Sequence, residues 1–187
     1  MKKINWNAVE AVEVGSFARP TAGGYVMNIA SVEDVPDRQY MLIKLDIAEG
    51  DFAGNGRDTE TRTGQDWGYF KLYRSYKDTA LGMFKAFLVA LEESNPDFQV
   101  ATWDHDEKKL ERLLTGAVLA EEEYENQQGE IKTALRVHSV MPAGKIRGGE
   151  FKVPPLKKRE KKSRQFPLPP ERKTAPELTL KPSEYPF

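Results

Sequence analysis

The stretch that decides the fold is Gln39-Tyr40-Met41-Leu42-Ile43-Lys44-Leu45-Asp46-Ile47-Ala48. Its apolar side chains recur at every second position and alternate with polar or aromatic ones: Met41, Ile43, Leu45 and Ile47 against Tyr40, Lys44 and Asp46. Successive side chains of a β-strand point to opposite faces of the sheet. The stretch therefore predicts a strand that buries one face and turns the other outward.

Two further strands are predicted, one on either side of this stretch. Residues 25–32 lie between the turn signals Pro20–Gly24 and Asp34–Asp37 and predict the first strand. Trp67–Tyr73 predicts the third. Residues 49–65 are polar and glycine-rich and predict a long connecting loop, which is a common place for function.

The second half of the chain predicts helices followed by a hairpin. Asp78 is the expected N-cap of an amphipathic helix that runs to about Glu93, and a second, shorter helix is expected over residues 104–114. Residues 117–123 and 130–140 predict two strands joined by a Glu-rich turn. On the last strand, the side chains expected to point inward are Ile131, Leu135 and Val137.

This order of elements predicts a mostly β fold with helices, of the α+β class. A five-stranded barrel with a helix between its third and fourth strands is the OB-fold arrangement, which commonly binds oligonucleotides. Other small α+β sheets fit the same order and stay open as alternatives. The expected architecture is an OB-fold-like domain over residues 1–153, followed by a flexible tail over residues 154–187.

The third predicted strand carries the strongest functional signal. Trp67, Tyr69, Lys71 and Tyr73 alternate with Gly68, Phe70 and Leu72, so one face presents three aromatic rings and an ammonium. Nucleic-acid bases stack on such rings without regard to sequence. The sequence leaves an alternative open, in which the amino-terminal segment, the second helix or the tail packs over Trp67 and Tyr69.

Cations for phosphate contacts are predicted beside this aromatic strand: Lys44, Arg57, Arg62, Lys71, Arg74, Lys132 and Arg136. Residues 1–153 nevertheless carry 19 Lys/Arg against 25 Asp/Glu, a net charge of −6. Non-specific affinity for DNA comes largely from phosphate neutralisation. Local rather than net charge must therefore supply the attraction.

Residues 154–187 have the composition of a tether. They hold eight of the 12 prolines, no glycine, and nine Lys/Arg against four Glu, a net charge of +5. The final residues, Glu184, Tyr185, Pro186 and Phe187, combine aromatic rings with negative charge, and we expect them to bind a partner protein. A solvated linker is the alternative interpretation of the basic run.

The remaining composition bounds the class of protein. There is no cysteine, no apolar run long enough for a membrane span and no signal peptide, which predicts a soluble, cytoplasmic protein without membrane contact. Only His105 and His138 are present, and no phosphate-binding loop or nucleophile elbow occurs. We therefore expect no enzyme activity, no cofactor and no metal site; Trp103–Asp106 is interpreted as a helix start rather than a metal site.

Several stretches resemble a family of small bacteriophage proteins encoded among replication and recombination genes: Ile4-Asn5-Trp6, Ala22-Gly23-Gly24-Tyr25, Tyr73-Arg74-Ser75-Tyr76, Glu121-Glu122-Glu123-Tyr124 with Gly129-Glu130, and Gly149-Glu150-Phe151-Lys152-Val153-Pro154. Some members of that family are described as single-strand DNA-binding proteins. Glu184–Phe187 is also similar to the partner-binding tip of bacterial single-strand binding proteins. That tip usually follows aspartates, whereas the tail here is basic.

The residues and the resemblance together predict a sequence-independent single-stranded DNA-binding protein of a phage replication or recombination system, located in the host cytoplasm. Bases would stack on the strand aromatics, and the tail would recruit replication or recombination proteins. A homo-oligomer is compatible with this function. Two alternatives stay open: a non-enzymatic protein-interaction or adaptor module, in which the aromatic strand is an interface, and a metal-dependent nuclease.

Overall fold

The computed structural model describes Lys3, Asn5 and residues 19–159 of the 187-residue chain. In chain order, the helices and strands are β1 (Gly23–Val35), β2 (Tyr40–Ile47), α1 (Asn55–Thr63), β3 (Phe70–Ser75), α2 (Leu81–Ser94), β4 (Leu114–Glu125), β5 (Ile131–Met141) and α3 (Ala143–Arg147). Short 3-10 turns lie at Pro36–Arg38, Asp78–Ala80, Val100–Thr102 and Glu107–Leu110. None of the helices within this described part is long and apolar enough to span a bilayer.

The five strands form one antiparallel sheet in the order β3-β2-β1-β4-β5. The first residues of β1 pair with β4 and the later ones with β2, and a register shift between Ile29 and Ser31 bends β1 near this junction. The edge strands β3 and β5 approach within 8 Å between Cα atoms but share no hydrogen-bonded ladder. The predicted α+β class with five strands is confirmed, and the sheet is curled rather than closed.

The buried face of β2 is the centre of the core. Met41, Ile43, Leu45 and Ile47 are all at most 5% exposed, which confirms the alternation predicted for this strand. Helix α2 packs against this face through buried side chains that include Phe87 and Leu91. Since burial of one such side chain stabilises a fold by ~1.5–3 kcal/mol, this layer is a main source of stability.

Helix α1 corrects the prediction of a loop over residues 49–65. Its first turn is held by Asp46, whose carboxylate accepts hydrogen bonds from the backbone N–H of Gly56 at 2.7 Å and of Arg57 at 3.1 Å. A carboxylate at this end satisfies donors that have no partner within the helix and complements its dipole. Asp46, expected to face outward, is therefore buried under α1.

The predicted helix over residues 104–114 is also wrong, because only the 3-10 turn Glu107–Leu110 forms there. Asp106 rather than Asp104 caps this turn, by accepting a hydrogen bond from the Lys108 N–H at 3.0 Å. On either side, His105 and Arg112 have φ of 65° and 70°, in the left-handed region that interrupts a helix. The helix predicted from Asp78 is confirmed as α2, which begins only at Leu81.

Strand β3 and the hairpin carry two further corrections. The third strand begins at Phe70, so Trp67 and Tyr69 belong to the segment before it rather than to its ladder. The hairpin of β4 and β5 is confirmed, with a turn at residues 126–130. Ile131 lies at its tip and is 54% exposed instead of pointing inward, because the tip extends beyond the core.

The chain after α3 runs back along the sheet. Phe151 packs over Gly24 beside Val26, and Lys157 forms a parallel bridge with Glu122 of β4. Residues 154–159, the first of the predicted tail, thus lie along β4. Residues 160–187 fall outside the described part of the chain, and the boundary after Val153 stays a prediction.

Candidate nucleic-acid interface

The outer side of β2 and β3 gathers aromatic and cationic side chains. In the ladder, Tyr40 lies opposite Ser75, Leu42 opposite Tyr73, and Lys44 opposite Lys71. These positions alternate with the buried residues of both strands, so they share the side that faces away from the core. We call this surface the β2–β3 face; it consists of Tyr40, Leu42, Lys44, Lys71 and Tyr73, with Asp66 from the segment before β3. Trp67 follows Asp66 in the chain, next to this face.

Asp66 pairs with both lysines of this face. Its carboxylate lies 2.9 Å from the Lys44 ammonium and 3.1 Å from that of Lys71. The hydrogen bond from Lys44, and then that from Lys71, hold the pKa of Asp66 below its usual range. The two predicted phosphate contacts are therefore brought together, with an acidic group between them that the sequence reasoning missed.

Two aromatic rings are open, one on the face and one in the segment beside it. Trp67 is 61% exposed and Tyr73 is 56% exposed. The Tyr73 ring meets Tyr40 edge-on, with centroids 5.4 Å apart and an angle of 75° between the rings. Such an edge-on pair is a favourable aromatic geometry that orients Tyr73 while leaving most of its surface accessible.

Tyr69 does not join these two rings. It lies against α1, where a Cβ at Gly56 would collide with the Tyr69 ring, and its hydroxyl donates a hydrogen bond to Glu60 at 2.9 Å. Burial, followed by the hydrogen bond to Glu60, raises the pKa of Tyr69 to about 12. Tyr69, one of the three predicted stacking residues, thus holds α1 to the segment before β3.

Arg74 was predicted to contact phosphate beside Tyr73, but it leaves β3 on the opposite side. Its guanidinium carbon lies 5.6 Å from the centre of the Phe87 ring, a cation–π arrangement. Its Nη1 donates a hydrogen bond to the Tyr73 carbonyl at 3.2 Å, while its Nε is buried without a partner. Arg74 is therefore not part of the β2–β3 face.

The two loop arginines lie on α1. Arg57 is in its first turn, where its Nε lies 3.5 Å from the Asp58 carboxylate. Arg62 is exposed in the last turn. Both belong to the helix that precedes Trp67 in the chain, and within residues 19–159 no ion pair joins Arg57 to Asp66 or to the two lysines that Asp66 holds.

The hairpin cations pair with acids of their own hairpin. Lys132 lies 3.2 Å from Glu130, and the Nε of Arg136 lies 3.6 Å from Glu122. Glu122 also takes the Lys157 ammonium at 2.7 Å. Across residues 19–159, no ion pair, hydrogen bond or ring contact joins Lys132 or Arg136 to the β2–β3 face. The predicted partner-binding residues Glu184–Phe187 lie outside the described residues.

A concave surface lies between α2 and the sheet. This apolar cleft has a volume of about 710 Å³ and is lined by Asp34, Met41, Tyr76, Leu81, Gly82, Phe84, Lys85, Leu88, Val100, Trp103, His105 and Glu107. Trp103 donates its indole N–H to the Asp106 carbonyl at 2.9 Å, and the His105 ring stacks on it at 5.1 Å. No local sequence pattern predicts this cleft, because its walls come from elements far apart in the chain.

The Trp103–Asp106 segment is an aromatic stack beside a 3-10 turn. Among the residues that the structure describes, no group of three or more His, Asp or Glu side chains has the arrangement of a metal site. Asp104 instead pairs with Lys109 at 2.6 Å, and this hydrogen bond lowers the pKa of the Asp104 carboxyl.

Comparison with known proteins leaves the site to be judged on its chemistry. No protein-family model matches the sequence, and no curated protein matches it either. The β2–β3 face, with the open Tyr73 ring, a lysine pair and the exposed Trp67 next to it in the chain, is the arrangement on which a functional argument can be built.

Proposed function

We propose that this protein binds single-stranded DNA without sequence preference on the β2–β3 face. One observation carries the proposal: Trp67 and Tyr73 are both more than half exposed, and the lysine pair of Lys44 and Lys71 lies in the same face. Each base stacked on an aromatic ring contributes ~1–3 kcal/mol, whichever base it is. Large exposed rings on a monomer are otherwise unfavourable for solubility.

An OB-fold is part of this proposal. The strand order, the helix α2 between β3 and β4, and the approach of β3 to β5 support it. In OB-folds the face of the second and third strands is the usual oligonucleotide site. Tyr73 lies in that same part of the sheet here, and Trp67 lies in the segment before it.

The charges of the face predict how the binding depends on salt. Two lysines reach the face, so about two phosphates are neutralised, which gives a slope near −1.4 for log K against log salt on single strands. The rest of the affinity comes from stacking. An affinity that depends more on stacking than on charge is compatible with the net negative charge of residues 1–153.

A role in phage replication or recombination, with partners bound through Glu184–Phe187, completes the proposal. The support for this part is the sequence resemblance and the tether-like composition of residues 154–187. A pull-down of host replication proteins with and without residues 184–187 tests it separately from DNA binding.

Fluorescence titration with oligo-dT tests DNA binding. The chain has three tryptophans, and stacking on Trp67 is expected to quench its emission at low salt. In a Trp67→Phe variant this quenching is expected to disappear. Tyr73→Ala is expected to weaken binding ~5–150-fold, as loss of one stacked base implies.

Tyr124→Ala is the matched control, because Tyr124 is an exposed ring of the β4–β5 hairpin and is not one of the residues of the β2–β3 face. It is expected to bind oligo-dT like the unmodified protein. Absence of binding at low salt, or equal losses in the Tyr73 and Tyr124 variants, would rule out the proposed face.

A protein-interaction module is the second candidate. The observation that favours it is the apolar cleft, in whose wall Leu81 is 45% exposed. Exposed apolar surface of this kind marks protein-binding sites. Light scattering with and without oligo-dT separates the two candidates, since an obligate oligomer that ignores DNA supports the interaction module.

A further inference from the structure

A small pocket lies at the free edge of β3, between that strand and the start of α2. Its volume is about 190 Å³, and it is lined by Tyr40, Tyr73, Arg74, Ser75, Ala80, Met83 and Phe84. Since liquid water takes ~30 Å³ per molecule, the pocket holds about six waters. It is therefore large enough for a tetrahedral anion and part of the group that carries it.

Arg74 is the charged side chain of this pocket, and it has no counter-ion. Within residues 19–159 no carboxylate lies within 4 Å of its guanidinium, and its only hydrogen bond goes to a neutral backbone carbonyl. Its Nε is buried without any acceptor. Burial alone lowers the pKa of Arg74, with no acidic neighbour to oppose it.

A half-buried guanidinium in this situation is costly for the fold. Moving a charge out of water is unfavourable unless a partner of opposite sign compensates it. The Phe87 ring supplies only a partial, cation–π compensation. An anion bound in the pocket would supply the negative charge that the Arg74 guanidinium lacks.

We propose that this pocket is a phosphate-binding site in which Arg74 is the principal ligand. The guanidinium offers a planar set of N–H donors that matches two oxygens of a phosphate. Tyr40 and Tyr73 line the same pocket, and their phenolic hydroxyls are further donors with no hydrogen-bond partner among the described residues. Phosphate groups of a DNA strand and of a free nucleotide share this chemistry.

Tyr73 connects the pocket to the β2–β3 face, since its ring belongs to both. A strand that stacks a base on Tyr73 would carry a phosphate to the edge of β3, where Arg74 lies. This assignment of the phosphate to a DNA strand rests on the proposed function. The phosphate site itself does not.

The first experiment uses inorganic phosphate and needs no DNA. Melting temperatures are measured for the full chain in phosphate, acetate and chloride at equal ionic strength. The unmodified protein is expected to gain ~3 °C in saturating phosphate relative to the other anions. Arg74→Gln is expected to lose this gain, whereas Arg112→Gln, which alters an exposed arginine, is expected to keep it.

A spectroscopic readout covers the case in which Arg74→Gln does not fold. The Arg74 Nε–H resonance of the ¹⁵N-labelled unmodified protein is expected to shift on phosphate addition and to stay unchanged in chloride. The proposal is overturned if that resonance does not move, if Arg74→Gln responds like the unmodified protein, or if acetate acts as strongly as phosphate. The last result would identify a carboxylate site, such as a partner's acidic side chain would fill.

The second experiment finds the source of the phosphate. If a DNA strand supplies it, Arg74→Gln weakens oligo-dT binding about tenfold relative to Arg112→Gln. If a free nucleotide supplies it, thymidine monophosphate shifts the melting temperature of the unmodified protein, and the oligo-dT affinity of Arg74→Gln is unchanged. A phosphate response without any oligo-dT binding supports the pocket and removes the proposed function.

Discussion

The Asp66 carboxylate lies 2.9 Å from the Lys44 ammonium and also pairs with Lys71 at 3.1 Å. The two lysines are directly opposite each other on adjacent strands, where like charges are unfavourable. Asp66 therefore stabilises the pair in the free protein. It also occupies the position between the ammonium groups that a phosphate oxygen would take.

Asp66→Asn is expected to strengthen oligo-dT binding by ~1.4–5-fold at low salt. The substitution removes the acid that competes with phosphate, and an exposed ion pair of this kind contributes ~0.2–1 kcal/mol. Fluorescence titration on Trp67 measures the change. The gain should shrink as salt is raised, because salt screens the charges on which it depends.

Asp51→Asn is the control for Asp66, because it removes an equal charge from the exposed loop before α1. It should leave the affinity nearly unchanged. Equal gains in the two variants would mean that net charge rather than the lysine pair governs binding.

Tyr69 gives a prediction for alkaline pH. The fold raises its pKa to about 12 from an ordinary value of 10.0, so the folded protein keeps a proton that the unfolded chain loses. The stability this provides is complete below pH 10 and is lost as pH rises toward 12. The difference in melting temperature between the unmodified protein and Tyr69→Phe should therefore be constant below pH 10 and shrink above it.

Tyr124→Phe supplies the comparison for Tyr69, since Tyr124 is exposed at the hairpin. The same measurement on both variants separates the contribution of Tyr69 from the loss of any one tyrosine hydroxyl. A Tyr69→Phe difference that stays constant between pH 9 and 12 would contradict the packing of Tyr69 against α1 and its hydrogen bond to Glu60.

The alternation of apolar and polar side chains predicted β2, because this pattern depends only on residues that are neighbours in the chain. Met41 and Ile43 alternate with outward residues, and burial of one side of the sheet makes that pattern visible. Helix α1 has no such pattern. Its first turn depends on Asp46, ten residues before Gly56, and on packing of Gly56 against Tyr69, so only the tertiary structure reveals it.

The candidate site, like the fold, was predictable from sequence only where its residues are neighbours in one strand. The alternation correctly grouped Lys71 with Tyr73 on one face. The same pattern also assigned Tyr69 to that face, but Tyr69 lies in the turn before β3 and packs against α1 instead. The same alternation, applied to Arg74, already separates it from Tyr73, its neighbour in sequence. Asp66 could not be assigned, because its pairing with Lys44 depends on how the segment before β3 folds back.

Gly56 tests the contact between α1 and Tyr69. A Cβ at this position would collide with the Tyr69 ring, so Gly56→Ala should lower the free energy of unfolding by ~1–3 kcal/mol. Gly144→Ala in α3 is the matched change, since nothing lies within 4 Å of a Cβ there. It should be neutral or stabilise by ~0.5–1 kcal/mol. Urea unfolding measures both, and equal effects would contradict the packing of α1.

The segment along β4 sets the last prediction. Lys157 donates its backbone N–H to the Glu121 carbonyl at 3.1 Å and accepts from the Glu123 N–H at 3.0 Å. A chain ending at Val153 loses both bonds, so it should unfold ~1–3 kcal/mol more easily in urea than a chain ending at Arg159. Lys157→Ala keeps the backbone bonds and loses only the exposed ion pair with Glu122, which should cost less than ~1 kcal/mol. If the two truncated chains unfold alike, the folded module ends where the sequence placed its boundary, after Val153, and the contact along β4 adds nothing to its stability.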